Sequence, residues 1–375
     1  MKKLITICAV TAVLALLCLG GSPAFAEWTV VNLNPAGAFS YAWGVSGGKQ
    51  VGEVFVSVRE YSVAHAALWS GTAASWVDLN PAGAGAQGSI AWGVSGGQQV
   101  GDAVFGDIWT CSGNYTWHAS LWSGTAESWV DLHPAGAGAQ GGSSARGVSG
   151  GKQVGWASIL PSDWDPHAGL WSGTAASWVD LNPAGVWASM AYGVSGGKQV
   201  GWALAGNNAY HASLWSGTAA SWVDLNPAGA GWSEALGVSG GQQVGYARIG
   251  SVEHAGLWSG TAATWVDLNP AEATDSIAYG VSGGWQVGYA DFDGIEHAGL
   301  WSGTAASWVD LHAFLPAGVY SRSEATSVEV SDGEIWVAGY ADGQALLWHY
   351  IPEPATMALL GLAGLGLLRR KRGKA

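Results

Sequence analysis

Residues 193–227 read GVSGGKQVGWALAGNNAYHASLWSGTAASWVDLNP, and near-copies of this stretch begin at Gly44, Gly93, Gly147, Gly237 and Gly280. A worn copy lies near Val330, VSDGEIWVAGYADGQALLWHY. The starts are spaced 49, 54, 46, 44 and 43 residues apart, then roughly 50. Self-similarity at this period, with four short strands per copy, predicts an all-β propeller.

In the copy quoted, Ser189 to Ser195 reads as an innermost strand. Its alternate positions hold Ala, Gly and Ser, as they do in nearly every copy, and small side chains suit strands that converge on an axis. Gly196-Gly197 supplies the positive φ angles of a two-residue hairpin. Gln199 to Ala203 is the second strand, His211 to Trp215 the third, and Ser221 to Asn226 the fourth, stopped by Pro227. Neither face of these strands is uniformly polar, which fits blades covered on both sides.

The two ends of the array are complementary. Glu27 to Pro35 is a fourth strand with nothing before it, and the last copy stops after its third strand at Tyr350. The expected fold is a seven-bladed β-propeller of four-stranded antiparallel blades, the N-terminal strand completing the C-terminal blade and removing two sheet edges. A linear β-solenoid is the competing reading, and it would want caps. The last copy has Gln344 where the others have His, and no Gly-Gly turn. That departure predicts a looser blade.

A short apolar helix is expected at each terminus. Lys2, Lys3, an apolar run to Leu19 and the ending Ala24-Phe25-Ala26 read as a secretory signal peptide cleaved after Ala26. Residues 27–350 then form the propeller and 351–375 a tail. Cys111 is the one cysteine of the mature chain, so packing and not a disulfide must hold it. Between residues 27 and 350 there are 7 Lys and Arg against 26 Asp and Glu, a net of −19. Such a body is repelled by phosphate backbones, so nucleic acid is not an expected partner.

The tail reads Ile351-Pro352-Glu353-Pro354-Ala355-Thr356-Met357, then ALLGLAGLGLL, then Arg369-Arg370-Lys371-Arg372. This resembles the PEP-CTERM sorting signal of Gram-negative bacteria. The resemblance implies export across the inner membrane, a transient stop there through the apolar segment, recognition by an exosortase, and delivery to the cell surface or the exopolysaccharide matrix. A plain C-terminal anchor is the alternative. The recurring elements A-x-G-V-S-G-G-x-Q-V-G, H-A-x-L-W and V-D-L resemble HAF-type extracellular repeats, which imply an extracellular address more than an activity.

Three sets of residues invite a functional reading. His65, His118, His167, His211, His254 and His297 share one repeat position, and Asp78, Asp131, Asp180, Asp224, Asp267 and Asp310 share another. Equivalent positions around a ring do not converge, so these read as a polar network inside each blade, similar to that of WD-type propellers, and not as metal ligands. The paired tryptophans of each copy, such as Trp215 and Trp222, read as blade-to-blade packing. The third set is irregular.

The connections after strands two and four leave on one face, and these are the ones that vary. From the Gly of Gln-Val-Gly to the His they hold 12, 16, 11, 9, 8 and 8 residues. Trp109, Tyr115 and Trp117 fall in the longest, with Trp164, Trp187, Tyr210 and Trp232 in others, and flat rings there suit glycan stacking. Asp291-Phe292-Asp293-Gly294 and Asp163-Trp164-Asp165 look faintly like calcium loops without full ligand spacing.

No nucleophile elbow, phosphate loop or metalloprotease helix is present in the sequence, and no cofactor is expected. The expected function is non-catalytic and structural or adhesive in the envelope or biofilm matrix. A carbohydrate-binding propeller is the first alternative and a polysaccharide hydrolase the second.

Overall fold

The computed structural model describes residues 27–58, 60–108, 115–137, 141–159, 165–206 and 208–352. They build seven four-stranded antiparallel sheets, arranged as the blades of a propeller. Blade four is representative: Ser189–Ser195, Lys198–Leu204, Tyr210–Trp215 and Val223–Asp224. Blade seven joins Ser323–Ser331, Glu334–Ala341 and Gln344–Ile351 to Glu27–Asn32, whose register runs from Glu27 opposite Ile351 to Asn32 opposite Leu346. Innermost strands of neighbouring blades touch all the way round, Ser40–Ser46 meeting Ser323–Ser331. The two expected terminal helices lie outside the described residues. Among the described residues no helix is long and apolar enough to cross a membrane.

In the six regular blades the fourth strands are shorter than the sequence suggests. Only Val223–Asp224 pairs where six residues were expected, because Ala219–Ser221 closes a 3-10 turn. The Ser221 hydroxyl accepts from the Ser216 N–H at 2.7 Å and donates to the Thr218 carbonyl at 2.6 Å. A hydroxyl that satisfies local backbone groups competes with the ladder. Two-residue outer strands also offer little template to another chain.

Each innermost strand carries a β-bulge. In blade four the register shifts between Ala191 and Gly193, which leaves Tyr192 as the extra residue. The bulge presses the strand against its neighbour, so that a Cβ on Gly201 would lie 1.8 Å from the Met190 carbonyl oxygen. Gly52, Gly101, Gly155, Gly245, Gly288 and Gly339 stand in the same position, with the same clash at 1.8–2.0 Å. The glycine of Gln-Val-Gly in six blades, and Gly339 of Val-Ala-Gly in the seventh, is therefore a close-approach residue and not a turn residue.

Blade seven, expected to be looser, has complete strands and a regular hairpin turn. Asp332 (φ 53°) and Gly333 (φ 84°) make its hairpin turn in place of Gly-Gly, and Asp tolerates the left-handed region better than most residues. Its first three strands run 9, 8 and 8 residues, against 7, 7 and 6 in blade four.

The core lies between blades. Trp215 is fully buried in a cluster with Val154, Leu170 and Leu181 of blade three. Trp69, Trp122, Trp171, Trp258, Trp301 and Trp348 are equally buried at the matching positions. Removing one such indole costs about 3–5 kcal/mol. The second tryptophan of each copy follows its neighbour. Opposite Ser120 and Ser213, the indoles of Trp129 and Trp222 donate to the hydroxyl at 2.9 Å. Opposite Gly169, Gly256 and Gly299, Trp178, Trp265 and Trp308 fill the space a Cβ would need and lean on the buried tryptophan at 4.6–4.7 Å.

Candidate functional site

Three layers of the propeller hold polar or aromatic groups that the frame alone does not require. The outermost is the set of His–Asp pairs. His Nδ1 donates to Asp Oδ2 at 2.8–3.0 Å in all six regular blades, from His65–Asp78 to His297–Asp310. The second carboxylate oxygen accepts the backbone N–H two residues on, as Asp224 does from Asn226 at 2.8 Å. A relay then leaves the blade: Ser233 of blade five donates to Asn226 at 2.6 Å and accepts from the Ala212 N–H at 3.0 Å.

Each pair runs from inside the blade to its surface, the histidines exposing only 13–24% of their side chains. The aspartates expose 34–47% of their side chains. At Asp131 burial pushes the carboxyl up, but the bonds from His118 and from the His133 N–H prevail and hold it below the ordinary range. In blades two and six a histidine replaces the relay asparagine, and His133 and His312 stack on His118 and His297 at 4.2 and 4.5 Å. Burial, then repulsion from His297, lowers His312. Among the described residues no group of three His, Cys, Asp or Glu could hold a metal ion.

The second layer is the variable face. Trp109 and Trp164 lie outside the described residues. Tyr115 and Trp117 do not sit in a loop. The arms of the longest connection zip into a hairpin, with Gly106 opposite Tyr115 and Val104 opposite Trp117. This carries both rings up beside Tyr61 of blade one. Together with Val63, Val104 and Ile108 they line a cleft of about 440 Å³ between the two blades. Tyr61 and Tyr115 are 58% and 48% exposed.

The remaining candidates stand elsewhere on this face. Trp187, 77% exposed, lies between blades three and four. Trp232 carries the Arg248 guanidinium on its ring at 4.4 Å, so one face is already occupied. Tyr210 meets Trp202 edge-on at 4.6 Å. Asp293-Gly294 is a hairpin turn, beside which the strand residue Asp291 accepts on its carboxylate from the Gly294 N–H at 2.7 Å and the Thr274 hydroxyl at 2.8 Å. That carboxylate is therefore already engaged by the turn. Asp163 lies outside the described residues.

The innermost layer went unnoticed in the sequence. The seven bulged residues are Trp43, Trp92, Arg146, Tyr192, Leu236, Tyr279 and Thr326. Bulges re-aim side chains, and Trp43, Trp92, Leu236, Tyr279 and Thr326 line a cavity of about 210 Å³ on the axis. Beside them stand cross-strand pairs: Tyr41 with Glu53, Ile90 with Asp102, Glu234 with Tyr246, Glu324 with Tyr340.

These groups bond around the ring. The Trp92 indole donates to Asp102. The Ser144 hydroxyl of blade three donates to the same carboxylate at 2.9 Å. The Arg146 guanidinium lies 4.1 Å above the Trp92 ring, and the Tyr340 hydroxyl donates to Glu324. Burial pushes Glu53 up to about 7, with the Trp43 indole pulling it back and the Asp102 charge adding to the rise. Burial likewise raises Asp102 against Arg146, Trp92 and Ser144. It raises Glu234 and Glu324 against their tyrosine partners. A signal existed: the x of A-x-G reads W, W, R, Y, L, Y in six copies, and the seventh has Thr in Ala-Thr-Ser.

Residues 351–372 match the PEP-CTERM protein-sorting motif. The motif implies export and surface sorting in a Gram-negative bacterium, and processing by an exosortase. Of its candidate residues Pro352 is described, while Glu353, Pro354, Arg369 and Arg370, like Ala26, lie outside the described residues. No curated protein matches the chain. Among solved structures it is similar to a puromycin hydrolase S511A mutant complexed with PGG (14% identity, TM-score 0.51), covering 85% of this chain and 52% of that one. It is similar too to the acylaminoacyl peptidase of Pyrococcus horikoshii (9%, TM-score 0.51), covering 87% and 54%. TolB from Acinetobacter baumannii matches at 11% and a TM-score of 0.43, over 70% and 62%. The chain thus spans little more than half the length of the first two, and at these identities the likeness speaks for the fold alone.

Proposed function

We propose that this is an exported, surface-sorted, non-catalytic propeller that adheres to matrix polysaccharide through its variable face. The tail supports the address: a short apolar segment holds the chain at the inner membrane until exosortase processing releases it. The observation that carries the binding role is the cleft between blades one and two, about 440 Å³, with Tyr61, Tyr115 and Trp117 along it. Exposed rings at an open cleft stack on sugar faces at little entropic cost. The hairpin extension gives the rings a rigid base, and rigid placement limits the ordering cost of binding.

The test is affinity electrophoresis through gels containing the producing organism's exopolysaccharide. Wild-type protein is expected to be retarded, and Y115A/W117A to run freely with an unchanged melting temperature. Free migration of the wild type, or equal retardation of the two, rules the reading out. Absence of turnover on the same polymer checks the non-catalytic part.

A further inference from the structure

The cleft between blades one and two contains an open strand edge. Resting on the reading of that cleft as a glycan site, we propose that it selects sugars bearing an N-acetyl group, whose carbonyl oxygen accepts the Ala64 N–H.

The donor follows from the register of blade one. Ala64 lies on the third strand, Tyr61–Trp69, opposite Phe55, and the Phe55 N–H donates away from it to the Phe39 carbonyl at 2.9 Å. Residues of an antiparallel pair that exchange no bonds turn their N–H and C=O outward. The fourth strand pairs only with Ala67 and Leu68. Just beyond it the Ala66 N–H donates to Ser89 at 3.0 Å and the Ala66 carbonyl accepts the Leu79 N–H at 2.8 Å. Ala64 lies two residues further on, half-buried in the cleft wall, and among the described residues nothing accepts its N–H.

Other blades show what that position calls for. Glu253 precedes its histidine as Ala64 does, and its N–H is taken by the Asp275 carboxylate of the next blade at 3.2 Å. Blade three has Pro166 there, which carries no N–H. Opposite Ala64, the residue in the place of Asp275 is Gly88, which lines the cleft. A Cβ on Gly88 would lie 2.8 Å from Val63 Cγ1 and 3.0 Å from the Ala64 oxygen. The bare glycine thus leaves both an unanswered donor and the space beside it.

An acetamido group fits that combination. Its oxygen accepts the N–H, its methyl meets Val63, Val104 and Ile108, and the sugar ring stacks on the exposed aromatic rings. None of the described lining residues is charged, and a body of net charge −19 disfavours acidic polymers. The outward groups of Ser62 and Ala64 are all the edge there is before the hairpin turns at Tyr61, too short a template for a peptide strand.

Calorimetry with chitotetraose and cellotetraose, which differ only at the C2 substituent, tests the site. Wild type should bind chitotetraose about tenfold more tightly, the combined effect of one hydrogen bond and one buried methyl. Ala64→Pro removes the donor, as Pro166 does in blade three, and Gly88→Asp supplies an internal acceptor, as Asp275 does in blade six. Each should cancel the preference and leave cellotetraose affinity and melting temperature unchanged. Should Gly88→Asp fail to fold, Ala64→Pro decides alone. Equal binding of the two tetramers, or a preference that survives Ala64→Pro, overturns the inference; retardation by exopolysaccharide that is lost in Y115A/W117A would still leave the cleft reading standing. Unaltered chitotetraose binding by Y115A/W117A overturns both. Tighter binding of the glucosamine tetramer, or of an acetyl-capped extended tetrapeptide, overturns the inference as well, since charge or strand pairing would then be what the edge recognises.

Discussion

Six blades are each one continuous segment of chain, and the seventh is assembled from both ends of the described residues. The regular blades tie their third and fourth strands with a His–Asp pair, as His211–Asp224 does at 2.8 Å. Blade seven puts amides in both places. The Asn32 amide donates to Gln344 Oε1 at 2.6 Å. The relay to the next blade survives there, since Ser40 donates to Asn34 at 2.6 Å and accepts from the Ala345 N–H at 3.1 Å. The substitution keeps the geometry and discards the charge. Where the chain is continuous, an ionisable clamp costs little if it fails. At the junction of two distant segments, an uncharged clamp holds regardless of pH.

Deleting residues 27–34 is the strongest way to break this comparison. It strips the outer strand from blade seven and removes fully buried Leu33. Loss of a single cooperative melt, or a fall in Tm of more than about 10 °C, is expected by calorimetry. An unchanged melt would show that the junction contributes nothing.

Next come Gly201→Ala and Gly339→Ala, one in a regular blade and one in blade seven. Their added Cβ atoms would meet carbonyl oxygens at 1.8 and 2.0 Å. Both should lose on the order of 3 kcal/mol or more in urea unfolding. Tolerance at Gly339 alone would mean that blade seven packs its bulge differently.

Glu53→Gln is a smaller and pH-dependent test. A carboxyl raised from 4.5 to about 7 in the fold is best accommodated protonated, so its cost appears as pH climbs through that interval. The variant should therefore match wild type at pH 4.5 and exceed it at pH 8, by on the order of 1–3 kcal/mol. A gain at acid pH instead would reverse the assignment.

The finest test concerns the clamps themselves. Asp131 is held low, so what it contributes is present at neutral pH and fades as pH falls through its depressed range. Asp131→Asn should cost less than about 1 kcal/mol at pH 7, given its exposure, and nothing near pH 2. Gln344→Ala should cost the same at both, having no proton to exchange. A Gln344→Ala penalty that varies with pH would remove the distinction between the two kinds of blade.

The seven-fold, four-stranded plan is legible in the sequence because the repeat itself states it: Gly-Gly turns, Trp at fixed positions, small residues on the inner strand. Strand four is less legible, because Ser221 and Thr218 look like strand residues until the hydroxyl is seen closing a turn. The placement of Tyr115 and Trp117 is hidden for a similar reason, since a sixteen-residue gap does not reveal how far its arms pair. The axial ring was hardest to see. Its members sit inside strands, where variation is usually ascribed to packing, and only the register shift beside Ala191 shows that they turn inward.

That register shift has a consequence for engineering. The fixed alanine, the close-packed glycine and a tight hairpin turn form a socket into which tryptophan, arginine, tyrosine, leucine and threonine have all been accepted. Seven such sockets converge on one line, so recoding seven codons would rewrite the lining of the bore while every loop stayed as it is.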